Sequence, residues 1–179
     1  MNPAGVYGRS KLEGETAVRA ANPRHLILRT AWLYAPYGQN FLRTMVRLAR
    51  EKPQLRVVGD QRGNPTYVPH LADAILAVAA QLGAGGRSAD VWGIYHAAAD
   101  GETTWAGFAA EIVRVGALHG VPAVPVSPIT TAEYPTPARR PANSRLDCTK
   151  LARTFGTRLP PWQQGVSECV SRLAREKLL

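Results

Sequence analysis

The chain has 179 residues, of which 45% are hydrophobic, 20% charged and 7% aromatic. That balance excludes a disordered tail, a collagen-like fibre and a disulfide-dense miniprotein, and it suits one domain of ordinary size. The 22 lysines and arginines outnumber the 13 acidic residues, for a net charge of +9. The basic residues are nevertheless scattered and surround no nucleic-acid motif, so a small anionic substrate such as a nucleotide or sugar phosphate fits better than nucleic acid.

No apolar run reaches the length of about 18 residues that a membrane span needs. No basic segment followed by an apolar stretch opens the chain as a secretory signal would. Cys148 and Cys169 stand in no metal or redox spacing and read as reduced thiols of a cytoplasmic protein.

In chain order, the sequence predicts a helix over Tyr7 to Ala21, ended by Asn22-Pro23. His25 to Arg29 is a short apolar run between turn signals and reads as a buried strand. Asn40 can cap a helix to about Arg50, with Phe41, Met45 and Leu48 on one face. Leu55 to Val58 is a second strand, closed by Gly59-Asp60. A loop through Gly63-Asn64-Pro65 leads to a helix over Leu71 to Leu82, with Leu71, Ile75, Val78 and Leu82 on one stripe and Gly83 at its end. Trp92 to His96 has strand character. Thr104 can cap a helix buried along Trp105, Phe108, Ile112 and Val115.

Residues 121–141 hold six of the fourteen prolines and read as extended and largely irregular. Asp147 can cap a short helix to Phe155. Pro161 suits the first turn of a final helix reaching about Lys177. Strands separated by helices imply an α/β fold with a parallel sheet. The opening helix has no strand before it, so the chain reads like the back part of a larger, doubly wound domain.

Tyr7 and Lys11 stand at i, i+4, one turn apart on one helix face. An ammonium beside a phenol favours its ionisation, which makes a tyrosine usable as a proton donor or acceptor. The ammonium also suits the vicinal hydroxyls of a ribose. The spacing alone is a weak signal, because a coincidence on a helix surface produces it too. His25, His70, His96 and His119 are dispersed and read as ordinary solvated or core histidines. Tyr34, Tyr37 and Trp92 read as packing residues. The carboxylates form no metal-binding cluster.

The surroundings of the pair are more specific. The segment from Val6 through Tyr7, Gly8, Arg9, Ser10 and Lys11 to Glu15 resembles the active-site helix of the extended short-chain dehydrogenases/reductases. Within them it is most similar to the dTDP-4-dehydrorhamnose reductase family. The likeness continues through Leu28-Arg29-Thr30-Ala31-Trp32-Leu33-Tyr34, Gly38-Gln39-Asn40-Phe41 and Asp60-Gln61-Arg62-Gly63-Asn64-Pro65-Thr66. It returns at Tyr134 to Leu146 and at Leu159 to Val166, in family order along nearly the whole chain.

This resemblance implies a Rossmann-like parallel sheet. Residues 1–58 would be a remnant of the dinucleotide-binding domain, and 59–179 mainly a small substrate-binding α/β region. It implies NADPH- or NADH-dependent reduction of dTDP-4-dehydro-L-rhamnose to dTDP-L-rhamnose, with magnesium in some members. Tyr7 would protonate the developing alkoxide. Lys11 would hold the nicotinamide ribose, so the pair is both catalytic and cofactor-binding. Trp32 falls where the family places an aromatic residue against the sugar. Asn40 suits a substrate-amide contact or only a helix cap, and Arg62 suits a phosphate or only solvent. Arg140, with Arg139 as an equally charged neighbour, suits the pyrophosphate, to which a guanidinium binds in bidentate fashion, or a surface ion pair.

The family opens with a glycine-rich βαβ unit that cradles the cofactor pyrophosphate. The sequence lacks it, since Gly83-Ala84-Gly85-Gly86 has neither the spacing nor a preceding strand. The expectations that follow are an unpaired strand edge beside His25 to Arg29 and a poorly covered helix 7–21. A homo-oligomer, or a partner covering that edge, follows from both. The sequence also admits a non-catalytic binding or regulatory protein on the same scaffold.

Overall fold

The computed structural model describes residues 5–83, 91–136 and 140–179. Among the described residues, six α-helices and eight short strands follow one another along the chain. They are α1 (Val6–Ala21), β1 (Leu26–Arg29), β2 (Leu33–Tyr34), α2 (Phe41–Glu51), β3 (Leu55–Val58), β4 (Arg62–Gly63), β5 (Thr66–Tyr67), α3 (Val68–Gly83), β6 (Gly93–His96), β7 (Thr103–Thr104), α4 (Trp105–Ala117), β8 (Val126–Ile129), α5 (Thr149–Phe155) and α6 (Trp162–Arg175). The strands pair two by two. β1–β6, β2–β5 and β3–β8 are parallel, and β4–β7 is antiparallel. The α/β class with parallel strands is therefore as the sequence implies.

The expected elements are present, most within a residue or two of their predicted ends. Three differences have physical causes. The proline-rich stretch is not wholly irregular, because Val126 to Ile129 pairs with β3. Among the described residues β8 has β3 as its one neighbour, so the missing N–H of Pro128 faces a free edge, where proline is tolerated. The loop around Asn64-Pro65 is flanked by β4 and β5, two-residue strands too short to show alternation. Helix α3 starts at Val68, with Pro69 in its first turn. On it Ala74 rather than Ile75 faces the core, and Ile75 is 43% exposed.

Two apolar clusters hold the fold. The larger joins α2, α4 and α6 around Leu42, Phe108, Ile112 and Val166. The smaller packs α3 and α5 on β1 and β6 through Leu71, Val78, Tyr95 and Leu151. Tyr34 is buried, as expected of a packing residue, whereas Tyr37 stands exposed. Helix α1 belongs to neither cluster. It buries none of its residues, and among the described residues β1 has β6 as its one strand neighbour. Both match the expected uncovered edge and helix.

Candidate functional site

Helix α1 presents Tyr7 and Lys11 to solvent, with Tyr7 76% exposed. The Lys11 ammonium lies 5.4 Å from the centre of the Tyr7 ring, within cation–π reach. The helix is tied to β1 by Arg29, whose Nε and Nη2 donate to the two Glu15 carboxylate oxygens at 2.7 and 2.5 Å. That bidentate pair holds the Glu15 carboxyl below its usual range.

Just past β1, Trp32 has φ 48°. A bulky residue in the left-handed region costs about 1–3 kcal/mol, and such strain gathers at functional sites. The Trp32 carbonyl accepts from the Thr66 N–H at 3.1 Å. Its indole stacks on Trp105, with centroids 3.6 Å apart and planes at 10°. Gly63 lies against the indole as well. A Cβ there would collide with Cε2 and come within 2.7 Å of both Cζ2 and Nε1. Contacts centred on Cε2 place Gly63 over the ring face, so Trp105 takes the opposite face and the indole is sandwiched.

Asn40 is the N-cap of α2. Its Oδ1 accepts from the Arg43 N–H at 3.2 Å, and its Nδ2 donates to the carbonyls of Ala35 at 2.8 Å and Tyr37 at 3.2 Å. Of its two possible roles the structure shows the cap, with the amide group committed to the backbone.

Arg62 is exposed, its side chain 54% accessible, and it is paired rather than free. Its Nε and Nη2 donate to Glu102 Oε1 at 3.0 and 2.6 Å. Its N–H donates to the Ala142 carbonyl, and its carbonyl accepts from Ser144. Arg145 Nη1 donates to the other Glu102 oxygen at 2.7 Å. Hydrogen bonds from Arg145, then from Arg62, hold the Glu102 carboxyl below the usual carboxylate range. Arg140 is exposed two residues before Ala142, and Arg139 lies outside the described residues.

Glu102, Arg145 and Trp105 are therefore site neighbours that the sequence reading missed. Glu102 is 40 residues from Arg62, and no spacing signals that pairing. Asn64, buried beside them, donates Nδ2 to the Gly101 carbonyl at 2.7 Å and accepts from the Leu146 N–H at 2.9 Å. With Asp100, Glu102, Asn143 and Arg145 it lines a cavity of about 540 Å³ whose wall is half apolar. A larger open hollow of about 740 Å³, lined by Tyr67, His119, Glu168 and Arg172 among others, contains none of the predicted residues. His70 bonds Glu168 across 2.7 Å. Among the described residues no group of three or more His, Cys, Asp or Glu side chains is placed to hold a metal ion. No described helix is long and apolar enough to cross a membrane.

The RmlD substrate binding domain family matches residues 1–175. The chain belongs to that family. A dTDP-4-dehydrorhamnose reductase from Sinorhizobium fredii is 49% identical over 174 residues, covering 97% of this chain and 58% of that protein. The solved dTDP-4-dehydrorhamnose reductase of Clostridium acetobutylicum superposes with a TM-score of 0.86 at 39% identity, over 97% of this chain and 57% of its own. The Bacillus anthracis reductase, solved in complex with NADP, gives a TM-score of 0.83 at 32% identity, over 96% of this chain and 57% of its own. This RmlD-family chain thus spans a little under three-fifths of the length of the reductases it matches.

Proposed function

We propose that this chain carries the proton-donating pair and the sugar-nucleotide site of a dTDP-4-dehydrorhamnose reductase, which reduces dTDP-4-dehydro-L-rhamnose to dTDP-L-rhamnose. The observation that carries the reading is the exposed pair itself. Lys11 lies one turn from Tyr7, over its ring, on a helix with no buried residue. NADPH or NADH, when bound, supplies the hydride. Tyr7 and Lys11 fit a nicotinamide ribose, having a hydroxyl and an ammonium that both face solvent. The pyrophosphate is another matter, because among the described residues no glycine-rich turn joins a strand to a helix N-terminus.

In this reading the Tyr7 hydroxyl donates its proton to the sugar oxygen as negative charge grows there. The Lys11 ammonium binds ribose hydroxyls and stabilises the phenolate left behind. Trp32 meets the sugar with the rim of its indole, since both faces are covered. Arg140 takes the pyrophosphate, with Arg62 beside it once Glu102 yields. Asn40 serves by fixing the start of α2. We retain 1–58 as the part bearing the Tyr–Lys helix and 59–179 as mainly substrate-binding, the two interleaved through β1 and β6. The open face of α1 and the free edge of β1 favour a homo-oligomer or a covering partner. A cytoplasmic location suits the reaction.

The test is a fluorescence titration of the chain with NADPH, with and without dTDP. Saturable dTDP binding is expected. A chain that binds no dTDP sinks the reading, whether or not NADPH binds. If NADPH binds and the keto sugar turns over, Tyr7→Phe is expected to lower kcat by at least about a hundredfold, since general-acid catalysis contributes that much. Unchanged turnover in Tyr7→Phe would remove the proton-donor role.

A further inference from the structure

We propose that Trp105 is a positioning residue of the nucleotide-sugar site, which holds the Trp32 indole rim-on to the sugar by stacking on its face. The proposal rests on the reading above that Trp32 meets the sugar. Trp32 sits in a strained turn, at φ 48°, and its backbone alone gives the side chain no reason to keep one orientation. The sandwich supplies it. Gly63 closes one face and Trp105 the other, at 3.6 Å and 10°.

Trp105 is fixed in its turn. It is the first residue of α4, whose N-cap Thr104 accepts from the Gly107 N–H at 3.0 Å. Its ring meets Phe41 at 4.6 Å, and Phe41 opens α2 directly after the Asn40 cap. Phe41 stacks at 5.2 Å on Phe108, which is fully buried. A chain of four rings therefore runs from the core through two capped helix starts to the site. Each ring removes rotamer freedom from the next, so the orientation of Trp32 is set before a ligand arrives.

A purely structural role for Trp105 predicts that its loss weakens all ligands together. A positioning role predicts loss of the sugar contribution alone. The experiment is calorimetry on the full chain with two probes, dTDP and dTDP-L-rhamnose. The readout is the affinity ratio between them. Trp105→Leu is expected to lower that ratio about five- to tenfold, the worth of one aromatic stack, with dTDP affinity held within about twofold. Trp105→Phe keeps a ring and is expected to restore most of the ratio, with a residual loss of about twofold. An unchanged ratio in Trp105→Leu, or an equal loss for both probes, overturns the proposal. Should Trp105→Leu not fold, an unchanged ratio in Trp105→Phe overturns it.

Trp32→Leu separates this proposal from the reading beneath it. It is expected to collapse the ratio, with no further loss when Trp105→Leu is added. A ratio unaffected by Trp32→Leu means that Trp32 does not meet the sugar, and both ideas fail. A ratio lost in Trp32→Leu but kept in Trp105→Leu ends the positioning role alone. If the unsubstituted chain binds no dTDP, the proposed function fails and the positioning role fails with it.

Discussion

Glu15 of α1 and Arg29 at the end of β1 form a bidentate pair, with side chains only 15% and 21% exposed. It joins a helix without buried residues to the strand that follows it. Truncating one partner leaves the other charge half-buried. Glu15→Ala is therefore expected to loosen α1 by about 1–2 kcal/mol. The carboxyl is held below its ordinary value, so the unfolded state binds the proton more tightly. The pair's contribution is full above the ordinary carboxylate pKa and is lost as pH falls through the lower folded value. Amide protection factors along α1, taken relative to the intrinsic exchange rate at each pH, are expected to fall in that window. The Glu15→Ala variant is expected to lack the transition.

Asn64 is a buried latch between two segments far apart in sequence, with Nδ2 on the Gly101 carbonyl and Oδ1 under the Leu146 N–H. Asn64→Ala strands a donor and an acceptor in a site 6% exposed. A loss of about 2–4 kcal/mol is expected in urea unfolding. A loss below about 0.5 kcal/mol, the scale of an ordinary surface substitution, would mean that water replaces the amide.

Gly165 lets α6 approach the β2–β5 pair. A Cβ there would stand 2.6 Å from the Tyr34 hydroxyl oxygen and 2.8 Å from Tyr67 Cβ. Both tyrosines are buried, so neither can swing away cheaply. Although alanine is the better helix former, Gly165→Ala is expected to destabilise by about 1–3 kcal/mol through overpacking. Thermal melts check the sign, which helix propensity alone would reverse.

Glu102 occupies both Arg62 and Arg145. Glu102→Gln removes the charge that competes with an incoming pyrophosphate. Affinity for dTDP is expected to rise about two- to fivefold and to become more sensitive to salt. The Glu102 carboxyl is held below the usual range. In the unsubstituted chain it therefore stays ionised at neutral pH and releases the arginines only in acid. A dTDP affinity that falls in Glu102→Gln would mean that the carboxylate aligns the guanidiniums for the ligand instead of blocking them.

The sequence by itself determined the alternation of helices and strands, because helical periods, caps and proline stops act over a few neighbouring residues. Asn40 and Thr104 cap the helices they were expected to cap. The Tyr7–Lys11 pair was legible for the same reason, as one helical turn fixes its geometry. The two-residue strands were not legible, since a period of two needs several residues to show itself. Nor was the β3–β8 pairing, which joins Leu55 to Val126 across 71 residues.

Tertiary structure alone decided what Arg62 and Trp32 face. Arg62, though exposed, met Glu102 from a segment 40 residues away. Trp32 was enclosed between Gly63 and Trp105. Each outcome depends on which distant segment arrives at the site, and long-range packing, not local propensity, settles that.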